Sequence, residues 1–262
     1  MEDGPRRTAL FESHVSAGAK MIDFHGFELP IWYSSIQEEH LDTRGSAGLF
    51  DVSHMGFFRF QGEDVRSWLS YVSTQEYMKF QPGRCGYCHF LDHSGHIIDD
   101  MIFAVSSESE VLGVPNSTMV GIVFDWLSKL LPEDESISIE DLSEETSIIA
   151  IQGPKSEQVL SEILGNDNCI GRFRCQKIAH NDLGITGWIQ GTGYTGESGA
   201  EIFIPNEQAT KVWSALISHH FVSPVGLGAR DTLRMEKGYL LSGQDFLWPE
   251  IDASKNSLPD NF

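Results

Sequence analysis

Residues 87–105 read YCHFLDHSGHIIDDMIFAV, and this stretch decides the fold class. Residues 87–91 and 97–105 are rich in aromatic and branched side chains, which favour strands. The DHSG segment at 92–95 has the residue types that form tight turns. The stretch therefore predicts two antiparallel strands joined as a hairpin.

Outward from the hairpin, strand-like and helix-like segments follow one another without the regular β-α-β alternation of a parallel sheet. Helices are predicted over residues 33–44, 65–72, 117–131, 155–164, 207–220 and 229–238, and further strands over 111–114, 148–151, 187–190 and 201–204. The acidic residues 132–147 are predicted to form a linker or an exposed connection. This order predicts an α+β fold with mixed and antiparallel sheets and flanking helices.

The composition bears on partners and compartment. The 262 residues include 38 Asp and Glu but 18 Lys and Arg, giving a formal net charge of −20. Because nucleic-acid binding needs a basic surface, we expect no nucleic-acid partner. No signal peptide and no apolar run of bilayer length is evident, so no membrane association is expected. The four cysteines are too few for a disulfide framework, which indicates a reducing compartment: the cytoplasm, or an organelle matrix.

A glycine pattern late in the chain matches a dinucleotide-binding fingerprint. Gly191, Gly193 and Gly196 have the G-x-G-x-x-G spacing. That motif requires a helix after the glycines, which receives the pyrophosphate at its N-terminus. Here a strand-like segment follows, so a glycine turn between two strands is the favoured interpretation.

Residues 85–96 carry two more patterns with the letters of a metal or redox site. Cys85 and Cys88 have C-x-x-C spacing, but strand signals surround them and no second pair completes a zinc site. The histidines and the aspartate of residues 89–96 straddle the predicted turn, where backbone needs explain the polar residues. We therefore predict no metal site.

Two adjacent carboxylates, Asp99 and Asp100, interrupt the apolar strand at 97–105. Neighbours on a strand point to opposite faces, so only one of them can enter a given pocket. A buried carboxylate is costly unless it is paired or protonated, which makes this pair a candidate for chemistry. A salt-bridged or capping aspartate is the structural alternative.

Several segments resemble, in order and spacing, those of the glycine cleavage T-protein (aminomethyltransferase) family. They are RTALF at 7–11, GAKMIDF at 18–24, DVSHMG at 51–56, GHIIDD at 95–100, QGPK at 152–155, GYTGE at 193–197, GLGARDTLR at 226–234 and GQD at 243–245. The resemblance spans nearly the whole chain, and the combination is more specific than any short motif above.

The resemblance implies an enzyme of glycine catabolism and one-carbon metabolism. It would transfer an aminomethyl carbon from the lipoyl arm of H-protein to tetrahydrofolate, with release of ammonia. By position, Asp100 corresponds to the catalytic acid/base residue of the family. The residues that match its folate-binding positions are Tyr87, Asn116, Tyr194, Glu201, Arg230 and Met55.

The resemblance also implies a folate-binding fold of two subdomains. Residues 1–50 with 140–245 would form the first, 51–139 the second, and 246–262 an irregular tail. The sequence resembles the family without its C-terminal barrel domain, so a C-terminal truncation is expected, and a monomer is assumed. It departs from the family at Gly191, where an arginine is usual, and at Ala104, where some members have a tyrosine.

Three other functions stay open at the level of sequence. One is a noncatalytic folate-binding protein like the relatives that serve iron–sulfur maturation. Their lysine-glycine-cysteine motif is faintly resembled by Lys237-Gly238-Tyr239, without the cysteine. The second is a folate-dependent demethylase of the same superfamily, and the third is a degenerate partner protein without a ligand.

Overall fold

The structure is a computed structural model that describes residues 4–251. Between residues 4 and 54 its elements are β1 (Arg6–Arg7), α1 (Phe11–Ser16), β2 (Lys20–Phe24), β3 (Phe27–Trp32), α2 (Ile36–Gly45) and β4 (Ala47–Asp51). Between residues 55 and 144 they are β5 (Phe58–Gln61), α3 (Val65–Val72), β6 (Arg84–Leu91), β7 (Ile97–Val105), β8 (Glu110–Pro115), α4 (Val120–Lys129) and β9 (Ser138–Asp141), with 3₁₀ turns at Tyr77–Lys79 and Ser117–Met119.

From residue 145 to residue 251 the elements are β10 (Thr146–Gln152), α5 (Ser156–Leu164), a 3₁₀ turn at Asn166–Asn168, β11 (Cys175–Lys177), β12 (Trp188–Gln190), β13 (Gly199–Pro205), α6 (Asn206–Ile217), β14 (Val222–Pro224) and α7 (Leu227–Lys237). The described residues form two compact units. Residues 4–54 and 145–239 make up unit 1, and residues 55–144 and 240–251 make up unit 2.

Unit 2 is built on a five-stranded antiparallel sheet in the order β6-β7-β8-β5-β9. The predicted hairpin is confirmed as β6 and β7, in which His89 lies opposite Asp100 and Tyr87 lies opposite Ile102. One face of the sheet and helices α3 and α4 bury an aromatic-rich core, which includes Phe58, Phe60, Tyr77, Phe90 and Phe103. Packing of these side chains fixes the register that aligns the site residues on β6 and β7.

Unit 1 contains a three-stranded sheet (β1-β3-β2) and a six-stranded sheet (β11-β12-β13-β10-β4-β14). In the larger sheet β4 pairs antiparallel with β10 and parallel with β14, while β12, β13 and β10 are antiparallel neighbours. All five residues of β4 are buried. Sheets that mix both pairings, flanked by helices, make this an α+β fold, as the sequence predicted.

Local sequence determines where the predicted helices begin and end. Helix α2 begins after Ser35, whose hydroxyl oxygen accepts a hydrogen bond from the Glu38 backbone N–H, an N-cap with carboxylates in the first turn. Helix α7 ends at Gly238, which adopts the left-handed conformation usual after a helix C-terminus. No helix within residues 4–251 is long and apolar enough to cross a membrane.

Two sequence-based expectations change with the structure. Residues 132–147 are not only an exposed connection, because Ser138–Asp141 form an edge strand against β5 and Ile137 is buried in the unit 2 core. Residues 240–245, expected with the first subdomain, cluster with unit 2. The backbone bridge between Ser242 and Phe246 and the buried Trp248 account for this, and the predicted tail beyond residue 251 lies outside the described residues.

Candidate functional site

A carboxylate held by two hydrogen-bond donors lies on the hairpin of unit 2. Asp100, on β7, is half-buried; its Oδ2 accepts a 2.6 Å hydrogen bond from the Tyr87 hydroxyl, and its Oδ1 accepts one of 2.6 Å from Asn116 Nδ2. Tyr87 comes from the neighbouring strand β6, and Asn116 follows the end of β8. Three strands of one sheet thus hold one carboxylate in a fixed orientation.

The neighbouring carboxylate, Asp99, points the other way and is completely buried. Its Oδ1 accepts a 2.9 Å hydrogen bond from Asn116 Nδ2, so a single amide contacts both aspartates. Burial, together with the nearby charge of Asp100, raises the pKa of Asp99 to about 7. The two residues therefore differ in environment, as expected for adjacent positions on a strand.

Met55 lies near the group formed by Tyr87, Asp100 and Asn116, because a backbone hydrogen bond of the next residue holds it there. It is half-buried and precedes Gly56, whose N–H donates a 3.0 Å hydrogen bond to the carbonyl of Pro115, the residue before Asn116. Gly56 has no room for a side chain, because a Cβ there would lie 2.4 Å from the Pro115 ring. This close approach brings Met55 and Gly56 beside the end of β8, after which Asn116 follows.

A second polar group lies on the large sheet of unit 1, around Glu201 on β13. Gln190, on β12, lies directly opposite Glu201 in the strand register, and both side chains are buried. Thr192 Oγ1 donates a short hydrogen bond to Glu201 Oε2, and Gln190 Nε2 lies 3.4 Å from the same oxygen. Within residues 4–251, the other carboxylate oxygen of Glu201 accepts no hydrogen bond.

Arg230, on α7, brings a positive charge to this group in unit 1. Burial lowers the pKa of its guanidinium, and the charge of Glu201 acts in the opposite direction and favours the charged form. The guanidinium carbon lies 4.9 Å from the centre of the Tyr194 ring, a cation–π contact, and Tyr194 stacks on Tyr239 with 6.0 Å between ring centres. Nη1 of Arg230 is buried and has no hydrogen-bond partner among the described residues.

His54, from the DVSHMG segment, is a buried neutral imidazole in unit 1. Burial and the charge of Arg230 lower its pKa to about 3. Its ring makes edge-on contacts with Phe24 and Phe27, and its Nδ1 has no partner in the described part of the chain. With Trp188 Nε1, Gln190 Oε1 and Arg230 Nη1, it is one of four buried side-chain polar atoms without a partner among the described residues of unit 1.

The glycine pattern is a turn between β12 and β13, as favoured from the sequence. A strand, not a helix, follows Gly196, so the feature that a dinucleotide site requires is missing from this position. A Cβ at Gly191 would lie 2.1 Å from the carbonyl oxygen of Gly171, and a Cβ at Gly193 would lie 1.9 Å from Gln152 Oε1. Close approach of the Gly171 backbone explains Gly191, where an arginine is usual in the family, and close approach of the Gln152 side chain explains Gly193.

The C-x-x-C and histidine patterns of residues 85–96 also have structural explanations. Cys85 and Cys88 are buried on β6, and burial raises the pKa of Cys88 to about 12, which disfavours a reactive thiolate. Asp92 accepts hydrogen bonds from the backbone N–H groups of Ser94 and His96 in the turn. Across residues 4–251, no group of three His, Cys, Asp or Glu is arranged to hold a metal ion.

The residues singled out from the sequence fall into two groups in the structure. Tyr87, Asp100 and Asn116 are joined by hydrogen bonds in unit 2, with Met55 nearby; Tyr194, Glu201 and Arg230 lie together in unit 1. Sequence reasoning missed Gln190 and Thr192. A polar residue ending the apolar run GWIQ was the available signal, but its position opposite Glu201 depends on the pairing of β12 with β13.

Comparisons with known proteins agree with an α+β fold of this kind. Residues 10–255 match the family described as the GCVT N-terminal domain. Aminomethyltransferases from Chlorobium limicola and Chlorobaculum tepidum are 39% and 42% identical, and each alignment covers 97% of this chain. The crystal structure of glycine cleavage system aminomethyltransferase T from Bartonella henselae superposes with a TM-score of 0.85 over 92% of this chain, at 31% identity.

The chain therefore belongs to the aminomethyltransferase (glycine cleavage T-protein) family. It spans 69% of the length of the two bacterial relatives and 65% of the Bartonella henselae structure. A heterotetrameric sarcosine oxidase from Corynebacterium, at 14% identity and a TM-score of 0.52, shares the fold.

Proposed function

We propose that this chain is a tetrahydrofolate-dependent aminomethyltransferase of glycine cleavage, acting as a monomer in the cytoplasm. The one-carbon unit would pass from the aminomethyl-lipoyl arm of H-protein to N5 of tetrahydrofolate, and ammonia would leave. Relatives named aminomethyltransferase support the reaction, and a cysteine count too low for a disulfide framework supports a reducing compartment.

The observation that carries the proposal is the unsatisfied polar group of unit 1. Glu201 offers an open carboxylate oxygen, Gln190 an unpaired acceptor and Arg230 an unpaired donor, all on partly or fully buried side chains. The 2-amino-4-oxopyrimidine edge of a pterin presents adjacent N–H donors and a carbonyl acceptor. A carboxylate accepts two parallel N–H bonds from such an edge, so the residues present fit the substrate.

In unit 2, Asp100 has the features of a residue that assists the reacting nitrogen. Its orientation is fixed by Tyr87 and Asn116, and it is accessible enough to meet a substrate. A carboxylate held in this way would accept a hydrogen bond from N5–H and increase the electron density on the nitrogen as it attacks the aminomethyl carbon. The carbon–nitrogen bond to the departing ammonia would break as the bond to N5 forms. N10 of the folate would then displace the lipoyl sulfur from the same carbon, leaving a methylene bridge between N5 and N10, the lipoyl thiol and ammonia.

The test begins with calorimetric titration of the folded 262-residue chain with 5-methyltetrahydrofolate. Saturable one-to-one binding is expected, followed by ammonia release when aminomethylated H-protein and tetrahydrofolate are supplied together. A folded chain that binds no folate would overturn the proposal. Binding without ammonia release would favour the noncatalytic alternative, and release of a methyl-derived carbon from a small methylated donor would favour a demethylase.

A further inference from the structure

Two glutamines are buried on strands β10 and β12 of the large sheet in unit 1, on either side of β13, and their amide groups are satisfied to different degrees. Gln152 Nε2 donates to the carbonyls of Ile151 and Thr192, and its Oε1 accepts a 2.9 Å hydrogen bond from Thr195. Gln190 is equally buried, at 1% exposure, yet its Oε1 has no partner among the described residues. Gln152 therefore has a structural role, and Gln190 keeps an open acceptor.

The orientation of the Gln190 amide follows from the neighbouring carboxylate. An amide oxygen turned toward Glu201 Oε2 would place two acceptors together, so the amide presents Nε2 to the carboxylate and Oε1 away from it. The open acceptor of Gln190 thus adjoins the residue that offers a free carboxylate oxygen. A buried acceptor without a hydrogen bond is unfavourable, and in native proteins such an atom is commonly completed by a ligand or a water molecule.

We propose that Gln190 is a further substrate-binding residue, whose Oε1 accepts an N–H from the same amino-pyrimidine edge that Glu201 holds. This inference rests on the proposed function and adds a residue to it. Gln190 and Glu201 lie opposite each other on β12 and β13, so their side chains are on one face of the sheet and within reach of a single flat ring.

The arrangement makes Gln190 a determinant of specificity. Two neighbouring acceptors fit a ring edge that presents adjacent N–H donors, as a 2-amino-4-oxopyrimidine does. An edge that presents an acceptor at the position facing Gln190 would leave two lone pairs opposed and would be rejected. Thr192 contributes by donating to Glu201 Oε2, which leaves the other carboxylate oxygen for the ring.

The test compares Gln190→Met with wild type by calorimetric titration with 5-methyltetrahydrofolate and by thermal unfolding without ligand. We expect Gln190→Met to weaken binding about 10-fold, because one hydrogen bond to the buried ring edge is lost. Its Tm without ligand should equal or exceed that of wild type, because the unsatisfied acceptor has been removed. Gln158→Met, on the exposed surface of α5, should change neither value.

A second contrast separates binding from stability. Gln152→Met removes three satisfied hydrogen bonds and should lower Tm, the opposite of the result expected at Gln190. If wild type binds the folate and Gln190→Met binds it equally well, the inference about Gln190 is wrong and the proposed function stands. If folded wild type binds none, both fail. A lower Tm for Gln190→Met without ligand would assign Gln190 a structural role instead.

Discussion

The hydroxyl group of Tyr87 donates a 2.6 Å hydrogen bond to Asp100 from the neighbouring strand of the hairpin. Tyr87 lies opposite Ile102 of β7, so these two side chains are on the same face of the sheet. Asp100 is two residues before Ile102 on β7 and therefore lies on that face as well. The tyrosine is 40% exposed, which leaves its ring surface open beside the carboxylate. The hairpin register thus pairs a flat ring that can contact a substrate with a carboxylate that can assist it.

Replacing Asp100 by asparagine should lower turnover by about 100-fold or more while changing folate affinity much less, because it removes an assisting base and keeps the shape. Ammonia release from aminomethylated H-protein measures the first quantity and calorimetry the second. Asp92→Asn, in the hairpin turn, is the control for a changed charge outside the site. Wild-type turnover in Asp100→Asn would exclude a catalytic role.

Replacing Tyr87 by phenylalanine removes one of the two side-chain donors that orient Asp100 and keeps the ring. We expect kcat/KM to fall about 10-fold, in line with the value of a hydrogen bond to a charged group, about 1.5–3 kcal/mol. Tyr71→Phe, at an 89% exposed tyrosine on α3, should have no effect. Equal losses in the two variants would show that the hydroxyl of Tyr87 does not act through Asp100.

The stability of the protein should fall with rising pH because of Asp99. Its carboxyl stays protonated in the folded protein to about pH 7, whereas the unfolded chain releases that proton near the ordinary pKa of 3.8. Between these values the folded state binds more protons, so the free energy of unfolding decreases as pH rises from about 4 to 7. Asp99→Asn, which mimics the protonated form, should flatten this decrease in the free energy of unfolding, which is on the order of 4 kcal/mol.

Urea unfolding of wild type and Asp99→Asn at a series of pH values measures the difference. The asparagine variant should gain stability relative to wild type above pH 7 and show little change near pH 4. Parallel curves for the two proteins would mean that Asp99 does not hold its proton in the folded state.

Gly191 should be intolerant of any side chain. A Cβ there would lie 2.1 Å from the Gly171 carbonyl oxygen, and backbone hydrogen bonds from Phe173 and to Arg174 hold the two segments together. We expect Gly191→Ala to lower the free energy of unfolding by about 1–3 kcal/mol, typical of overpacking. Gly121→Ala, in α4 with open space around it, should be neutral or stabilising. Chemical denaturation compares them, and similar stabilities for the two variants would refute the steric explanation.

Sequence patterns predicted the elements whose signals are local. The hairpin of β6 and β7 has apolar strands around a DHSG turn, and α3 begins and ends at the predicted residues. The hairpin of β2 and β3 was missed because its turn, His25-Gly26, lacks the usual asparagine or aspartate. Both residues nevertheless have positive φ, 52° and 81°, as a two-residue hairpin turn requires. The edge strand β9 was missed because an acidic composition masks its few apolar residues.

The candidate site was predictable only where a family motif carried it. Asp100 and Arg230 stand in recognisable segments, and Glu201 follows the GYTGE segment by four residues. Two adjacent aspartates in an apolar strand also attract attention on physical grounds alone. Gln190 and Thr192 stand in none of the segments that resemble the family. Their significance appears only when β12 pairs with β13 and places Gln190 opposite Glu201, a tertiary relationship that a linear pattern does not contain.

The position of β4 between β10 and β14 has a consequence for synthesis on the ribosome. Its two partners are made about 100 and 175 residues later, so this strand, whose five residues are all buried in the folded protein, leaves the exit tunnel long before either partner can cover it. The five strands of the other sheet are contiguous in sequence, from Phe58 to Asp141, and can assemble first. The large sheet of unit 1 is therefore completed only after all five strands of the other sheet have been made, and β4 is the segment most in need of protection from aggregation meanwhile.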